Sequence, residues 1–183
     1  MRIVKVLMIT ALVAVASYGE ADAQMLFGGH ASLTNLGTES VQVGETFGFG
    51  ARVGYAIFVS PSAAVVFEAV GDIFFPPCQT ADECKLVGLQ FNVLGAQYYN
   101  RNTRVYAGLG ISYQDFAIED DDSAIFLDDD AFGGNLIIGV SWVASRSFQP
   151  FFEMRFSALR GMREQASGII GFRVIPGAQR FFN

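Results

Sequence analysis

The sequence predicts an all-β chain: an eight-stranded antiparallel up-and-down transmembrane β-barrel preceded by a cleaved signal peptide. Three observations carry this. In Phe47–Val59 the odd positions (Phe47, Phe49, Ala51, Val53, Tyr55, Ile57, Val59) are all apolar, and the even ones are mostly Gly or Ala. That two-residue period gives a strand one greasy and one small or polar face, over a length that can cross a bilayer at a tilt. The pattern recurs in eight segments whose connections alternate between long and short. Finally, 51% of the chain is hydrophobic, yet beyond the N-terminus the apolar residues come as alternation and not as a helix-length block.

The N-terminus reads as a secretory signal. Arg2 and Lys5 form a charged start, Val6–Ala16 is free of charge, and Ala21-Asp22-Ala23 fits a cleavage site. The run is too short for a membrane-spanning helix. The expected division is residues 1–23 as signal and 24–183 as a single barrel domain. Its removal leaves ten basic and 16 acidic residues, with Lys85 the one remaining lysine. A balance of that sign offers no basic stripe for nucleic acid.

The strands are expected, in order, over 25–34, 47–59, 63–75, 85–99, 104–116, 131–144, 150–160 and 166–175. The first alternates Phe27, Ala31 and Leu33 with His30 and Ser32; the second sets Arg52 among its glycines. The third carries Glu68 and Asp72 out of phase with apolar neighbours, and the fourth Gln90 and Asn92. The fifth presents Arg104, Gly108, Gly110, Ser112 and Gln114 on one face, and the sixth Asn135, Gly139 and Ser141. In the seventh, Phe152-Glu153-Met154-Arg155-Phe156 puts both charges on one side; the eighth does the same with Arg173. The second face is thus small and neutral with sparse charges. A soluble, lipocalin-like ligand-binding barrel would instead want it rich in Lys and Glu, so this face suits a narrow packed lumen.

Asn35–Thr46, Pro76–Cys84 and Ala117–Asp130 form the long connections; Ser60–Ser62, Asn100–Thr103 and Ser145–Gln149 form the short ones. Long loops on one side and tight turns on the other are the habit of bacterial outer-membrane barrels. Aromatics gather near segment ends (Phe47, Phe74, Phe75, Tyr98, Tyr99, Tyr106, Tyr113, Phe116, Trp142, Phe151, Phe152), a distribution expected of interfacial girdles.

The candidate site is a polar network in the lumen: His30, Arg52, Glu68, Asp72, Arg104, Glu153, Arg155 and Arg173. Buried charges must be paired, and four arginines against three carboxylates can form a nearly neutral plug. A plug predicts no stable conductance, unlike an open porin. His30 is the one histidine, and on the alternation it faces inward, where a hydrolase acting on lipid would not want it. No catalytic residue, cofactor or established metal site is therefore expected. Cys78 and Cys84, in one loop of an exported chain, read as a disulfide. The acidic third loop offers weak candidates for a divalent cation in Asp120, Asp121, Asp122, Asp128, Asp129 and Asp130, although their spacing does not match a calcium-binding loop.

The signal, the alternation, the connections and the charged lumen together resemble the small outer-membrane β-barrel superfamily, the OmpA/OmpX-type and opacity-protein-like barrels. Ser167-Gly168-Ile169-Ile170-Gly171-Phe172-Arg173-Val174 is similar to the final strand that the family presents to the barrel-assembly machinery. The family usually ends on an aromatic; this chain runs on through Pro176 to Asn183. The resemblance implies a non-enzymatic integral outer-membrane protein whose barrel is an anchor and whose extracellular loops do the work, in envelope integrity or adhesion. Its expected partners are outer-membrane lipid and lipopolysaccharide, the assembly machinery and an extracellular ligand or host surface. The alternatives are a lipid A-modifying barrel enzyme and the soluble ligand-binding barrel.

Overall fold

A computed structural model describes residues 23–37, 42–76, 83–100, 102–119, 131–145, 147–160 and 164–176. Eight strands follow one another: β1 (Ala23–Gly37), β2 (Gln42–Ser60), β3 (Ala63–Phe74), β4 (Glu83–Tyr98), β5 (Thr103–Glu119), β6 (Ala131–Trp142), β7 (Phe148–Leu159) and β8 (Gln165–Val174). Each pairs antiparallel with its sequence neighbour, and β1 closes on β8 from Phe27 opposite Val174 to Thr34 opposite Ser167. Closure gives every strand a partner on both sides, which is what a sheet immersed in hydrocarbon requires.

The faces divide by polarity, inverted relative to a soluble barrel. Outward residues such as Phe49, Leu89, Leu109, Ile111, Ile138 and Ile170 are exposed apolar side chains. Inward residues, including every charged member of the candidate network, are buried. An apolar surface wrapped around a charged interior is stable only with hydrocarbon outside. β8 ends at Val174, so Pro176, which lacks an amide donor, lies past the sheet.

The short connections fold by side-chain capping. Asn100 Oδ1 accepts from the amides of Asn102 (2.9 Å) and Thr103 (2.8 Å), and Ser60 Oγ accepts from the Ser62 amide (3.3 Å). On the opposite side several strands run further than their hydropathy indicates. β1 continues to Gly37 and β2 begins at Gln42, so most of the connection expected over 35–46 is strand. β5 likewise reaches Glu119. Its 17 residues span about 56 Å at ~3.3 Å each, or roughly 43 Å of height at a 40° tilt, against an apolar band of about 25 Å. The upper part stands clear of the bilayer, and there Glu45 and Asp115 are exposed on the outward face. In-strand charge is therefore not confined to the lumen, contrary to the sequence expectation.

Three aromatics expected in the girdles also point the other way. Phe74, Tyr106 and Phe151 are 3%, 3% and 2% exposed and lie inside the barrel. Phe47, Phe75, Tyr99, Trp142 and Phe152 do face outward. The signal segment, apart from Ala23, and the acidic candidates Asp120–Asp122 and Asp128–Asp130 lie outside the described residues, as does Cys78.

The exterior gives a direct prediction. Leu109 lies near mid-height on the lipid face and Asp115 above the band on the same strand. Leu109→Arg is expected to cost about 2–4 kcal/mol and Asp115→Arg less than about 0.5 kcal/mol, read from reversible urea unfolding in lipid vesicles. Equal costs would show that the membrane edge has been misplaced.

Candidate functional site

Each lumen side chain is placed by the two-residue period of its strand. From the short-turn end upward the interior is layered. Leu26, Ala56, Val66, Leu94, Ala96, Ile137 and Ile175 pack with Tyr106 into an apolar cluster. Above it lies the ionic belt, then a layer of amides and hydroxyls, and at the long-loop end the buried Phe74, Leu86, Ala131 and Leu159.

Glu153 of β7 is the hub of the ionic belt. Its Oε2 accepts from Arg52 Nη1 (3.1 Å) and the Tyr106 hydroxyl (3.1 Å), its Oε1 accepts from Arg155 Nη2 (3.0 Å), and Arg173 Nη2 stands 3.8 Å away. Glu68 of β3 bridges the same arginines from across the lumen, accepting from Arg52 Nη1 at 3.2 Å and Arg173 Nε at 3.2 Å. Phe151 lies beneath two of these cations: the Arg52 and Arg173 guanidinium carbons sit 4.3 and 4.5 Å from its ring centroid. Arg173 also lies 4.7 Å from the Tyr106 ring. The negative ring faces partly stand in for lost hydration.

Asp72 of β3 forms the second node. His30 Nε2 is 2.6 Å from its Oδ1, while Gln90 Nε2 (2.8 Å) and Arg155 Nη1 (3.0 Å) donate to its Oδ2. An ionised carboxylate only accepts, which places a hydrogen on His30 Nε2. The other ring nitrogen, Nδ1, has no hydrogen-bond partner. Arg155 links the nodes by donating to both Asp72 and Glu153. Above, Asn135 Nδ2 donates to Gln90 Oε1 and Asn92 Oδ1, each at 3.0 Å, and Gln114 and Gln165 exchange reciprocal amide bonds at 3.0 and 3.1 Å.

The structure thus brings seven of the eight expected residues into one connected network. The eighth, Arg104, is 2% exposed but sits apart at the short-turn end, and among the described residues no carboxylate lies within ion-pair distance of it. Sequence reasoning missed the aromatic shelf of Phe151 and Tyr106 and the apolar layers. The parity of the strands held the missing signal, since these residues share it with the charges.

The lumen-facing glycines are sockets for the large groups opposite. A Cβ at Gly50 would run into His30 and Asp72, and one at Gly139 into the Tyr106 ring. Small residues on this face therefore do not mean empty space. Belt, sockets and apolar ends pack a bore of the narrow width expected for eight strands.

No family model matches the chain, and no curated protein matches it. Solved structures do. Neisserial surface protein A superposes with a TM-score of 0.61 at 13% identity, over 83% of this chain and 97% of its own. Ail, the attachment invasion locus protein of Yersinia pestis, gives 0.63 at 10% identity over 85% and 99%. Ail in complex with the heparin analogue sucrose octasulfate gives 0.60 at 9% over 84% and 98%. At these identities the shared property is the fold: an eight-stranded closed barrel of the kind found in small outer-membrane proteins such as Ail.

Two predictions follow from the belt. Glu153→Gln removes the hub charge beneath three arginines and is expected to destabilise the barrel by about 3–5 kcal/mol, against less than about 0.5 kcal/mol for the exposed Glu45→Gln. Urea unfolding of each variant in vesicles measures the difference; matching values would remove the belt's claim to stability. Gly50→Val fills the His30–Asp72 socket and is expected to cost about 1–3 kcal/mol in the same assay.

Proposed function

We propose that this protein is a non-enzymatic integral protein of the bacterial outer membrane, exported by its signal segment, with a sealed barrel as anchor and its function in the extracellular loops. The observation that carries this reading is the inversion of polarity: an exposed apolar exterior around a buried, internally paired set of charges. The tight turns then face the periplasm and the projecting strand ends face outward, the usual orientation for such barrels.

The arrangement of His30 supports a structural role over lipid chemistry. Its side chain is fully buried, points away from the lipid face and is held by Asp72. A lipid A-modifying enzyme would need its histidine to meet substrate at the exterior wall. As to what the loops bind, Ail has been captured with a polysulfate. Residues 117–130 of this chain carry seven acidic side chains, which would repel such a ligand and favour neutral or cationic partners. A disulfide between Cys78 and Cys84 would hold the second loop.

The test has three arms. Envelope fractions run unboiled and boiled on SDS gels are expected to show a mobility shift. Lipid A mass spectra are expected to be identical in wild type, gene deletion and His30→Ala strains. Planar bilayer recordings are expected to show no steady conductance. Solubility without detergent would overturn the membrane assignment, a changed lipid A would establish the enzyme, and stable openings would contradict the seal.

A further inference from the structure

At the short-turn mouth of the lumen, four consecutive strands direct polar side chains inward side by side: Arg104 of β5, Ser141 of β6, Gln149 of β7 and Arg173 of β8. Arg104 lies opposite Ser141 in the β5–β6 pair, and Gln149 lies opposite Arg173 in the β7–β8 pair. All four are buried. Arg104 is the second residue of its strand and Arg173 the second from the end of its own; from there the Arg173 guanidinium reaches into the belt, its Nη2 3.2 Å from Glu68 Oε1.

Arg104 differs from the other lumen arginines. Arg52, Arg155 and Arg173 each hold at least one carboxylate, and the three carboxylates Glu68, Asp72 and Glu153 are fully engaged by them. The fourth guanidinium has no counter-charge among the described residues, and its Nε has no hydrogen-bond partner. Its ionisable neighbours are Arg173, which repels it, and the hydroxyls of Tyr106 and of Tyr98, the latter accepting a hydrogen bond from it. Arg173 in turn leaves Nη1 without a hydrogen bond, while its Nη2 is ion-paired to Glu68 at 3.2 Å. Arg104 is thus a buried guanidinium with an unused donor and no counter-charge among the described residues, an arrangement that is costly in a low-dielectric interior. Guanidinium geometry, with several donors in a fixed fork, is suited to a halide or an oxyanion.

We propose that the short-turn mouth holds a small anion, a halide or an inorganic oxyanion, bound between Arg104 and Arg173 with Ser141 beside it. The anion supplies the missing negative charge and completes the lumen as a neutral plug. This inference does not depend on the loop function proposed above.

The test uses the full barrel in zwitterionic detergent. Its unfolding temperature is followed in sodium gluconate, chloride and phosphate at constant ionic strength, gluconate being too bulky for the site. Replacing gluconate by chloride or phosphate is expected to raise the wild-type midpoint by about 3 °C or more, growing with anion concentration as mass action requires. Arg104→Met is expected to abolish that dependence, while Arg160→Met, at an exposed position outside the lumen, keeps it. A wild-type midpoint indifferent to the anion, or an Arg104→Met variant that keeps the full response, overturns the site. Should Arg104→Met not fold, crystals of wild type soaked in bromide decide: an anomalous peak within hydrogen-bond distance of both guanidiniums supports the proposal, and its absence there refutes it.

Discussion

A sheet that crosses a bilayer has to close on itself, because hydrocarbon offers no partner to an exposed backbone amide. The rest of this structure depends on that constraint. Closure of β1 on β8 creates a lumen, and with eight strands the lumen is about as wide as the side chains that line it. Whatever points inward must then fill the space and satisfy itself. The chain meets this with charges that cancel across the bore: Glu68 and Asp72 from β3 and Glu153 from β7 engage Arg52 from β2, Arg155 from β7 and Arg173 from β8. Strands far apart in sequence are thereby fixed in register by contacts through the interior as well as by the ladder around the wall.

Charge alone would not close the bore. Large groups sit opposite glycines, as Tyr106 does with Gly139 and the His30–Asp72 pair with Gly50. Phe151 lies under Arg52 and Arg173, covering guanidinium faces that cannot all find oxygen partners. Apolar side chains stand at both ends of the ionic belt, joined at the short-turn mouth by the polar Arg104, Ser141 and Gln149. A dry surround strengthens each ion pair and at the same time raises the cost of losing any member.

Much of this was legible in the sequence, for identifiable reasons. The two-residue period located all eight strands and put His30, Arg52, Glu68, Asp72, Arg104, Glu153, Arg155 and Arg173 on one face, since a strand allows only two faces. The pairing partners were not legible, because cross-lumen contacts depend on the stagger of the strands and not on the period. The strands expected from the sequence stop at Phe47 and Phe116 because apolar alternation marks only the part of a strand in lipid. Above the band the outward residues are Glu45 and Asp115, and the ladder continues without the hydropathy signal. Phe74, Tyr106 and Phe151 lie near segment ends, as girdle residues do, yet share the parity of the lumen charges, and parity decides their side.

Outward polarity along a single strand also explains how one fold can be both anchor and platform. On β5 the exterior runs Val105, Leu109 and Ile111, then Tyr113 and Asp115, while the interior parity continues unbroken through Ser112 and Gln114. The wall therefore passes from hydrocarbon to water without any change in backbone geometry. The extension is unequal around the barrel. β5 continues to Glu119, beyond Gln114, its last residue paired with β6, whereas β7 stops at Leu159 and β8 begins at Gln165. Among the described residues the strands reach furthest at β5 and stop lower at β6–β8. On that low side the outward Gly134, Ala158 and Ala166 floor a groove of about 720 Å³ in the wall. The described strand lengths thus step down from β5 towards β7 and β8, without any break in the ladder around the wall.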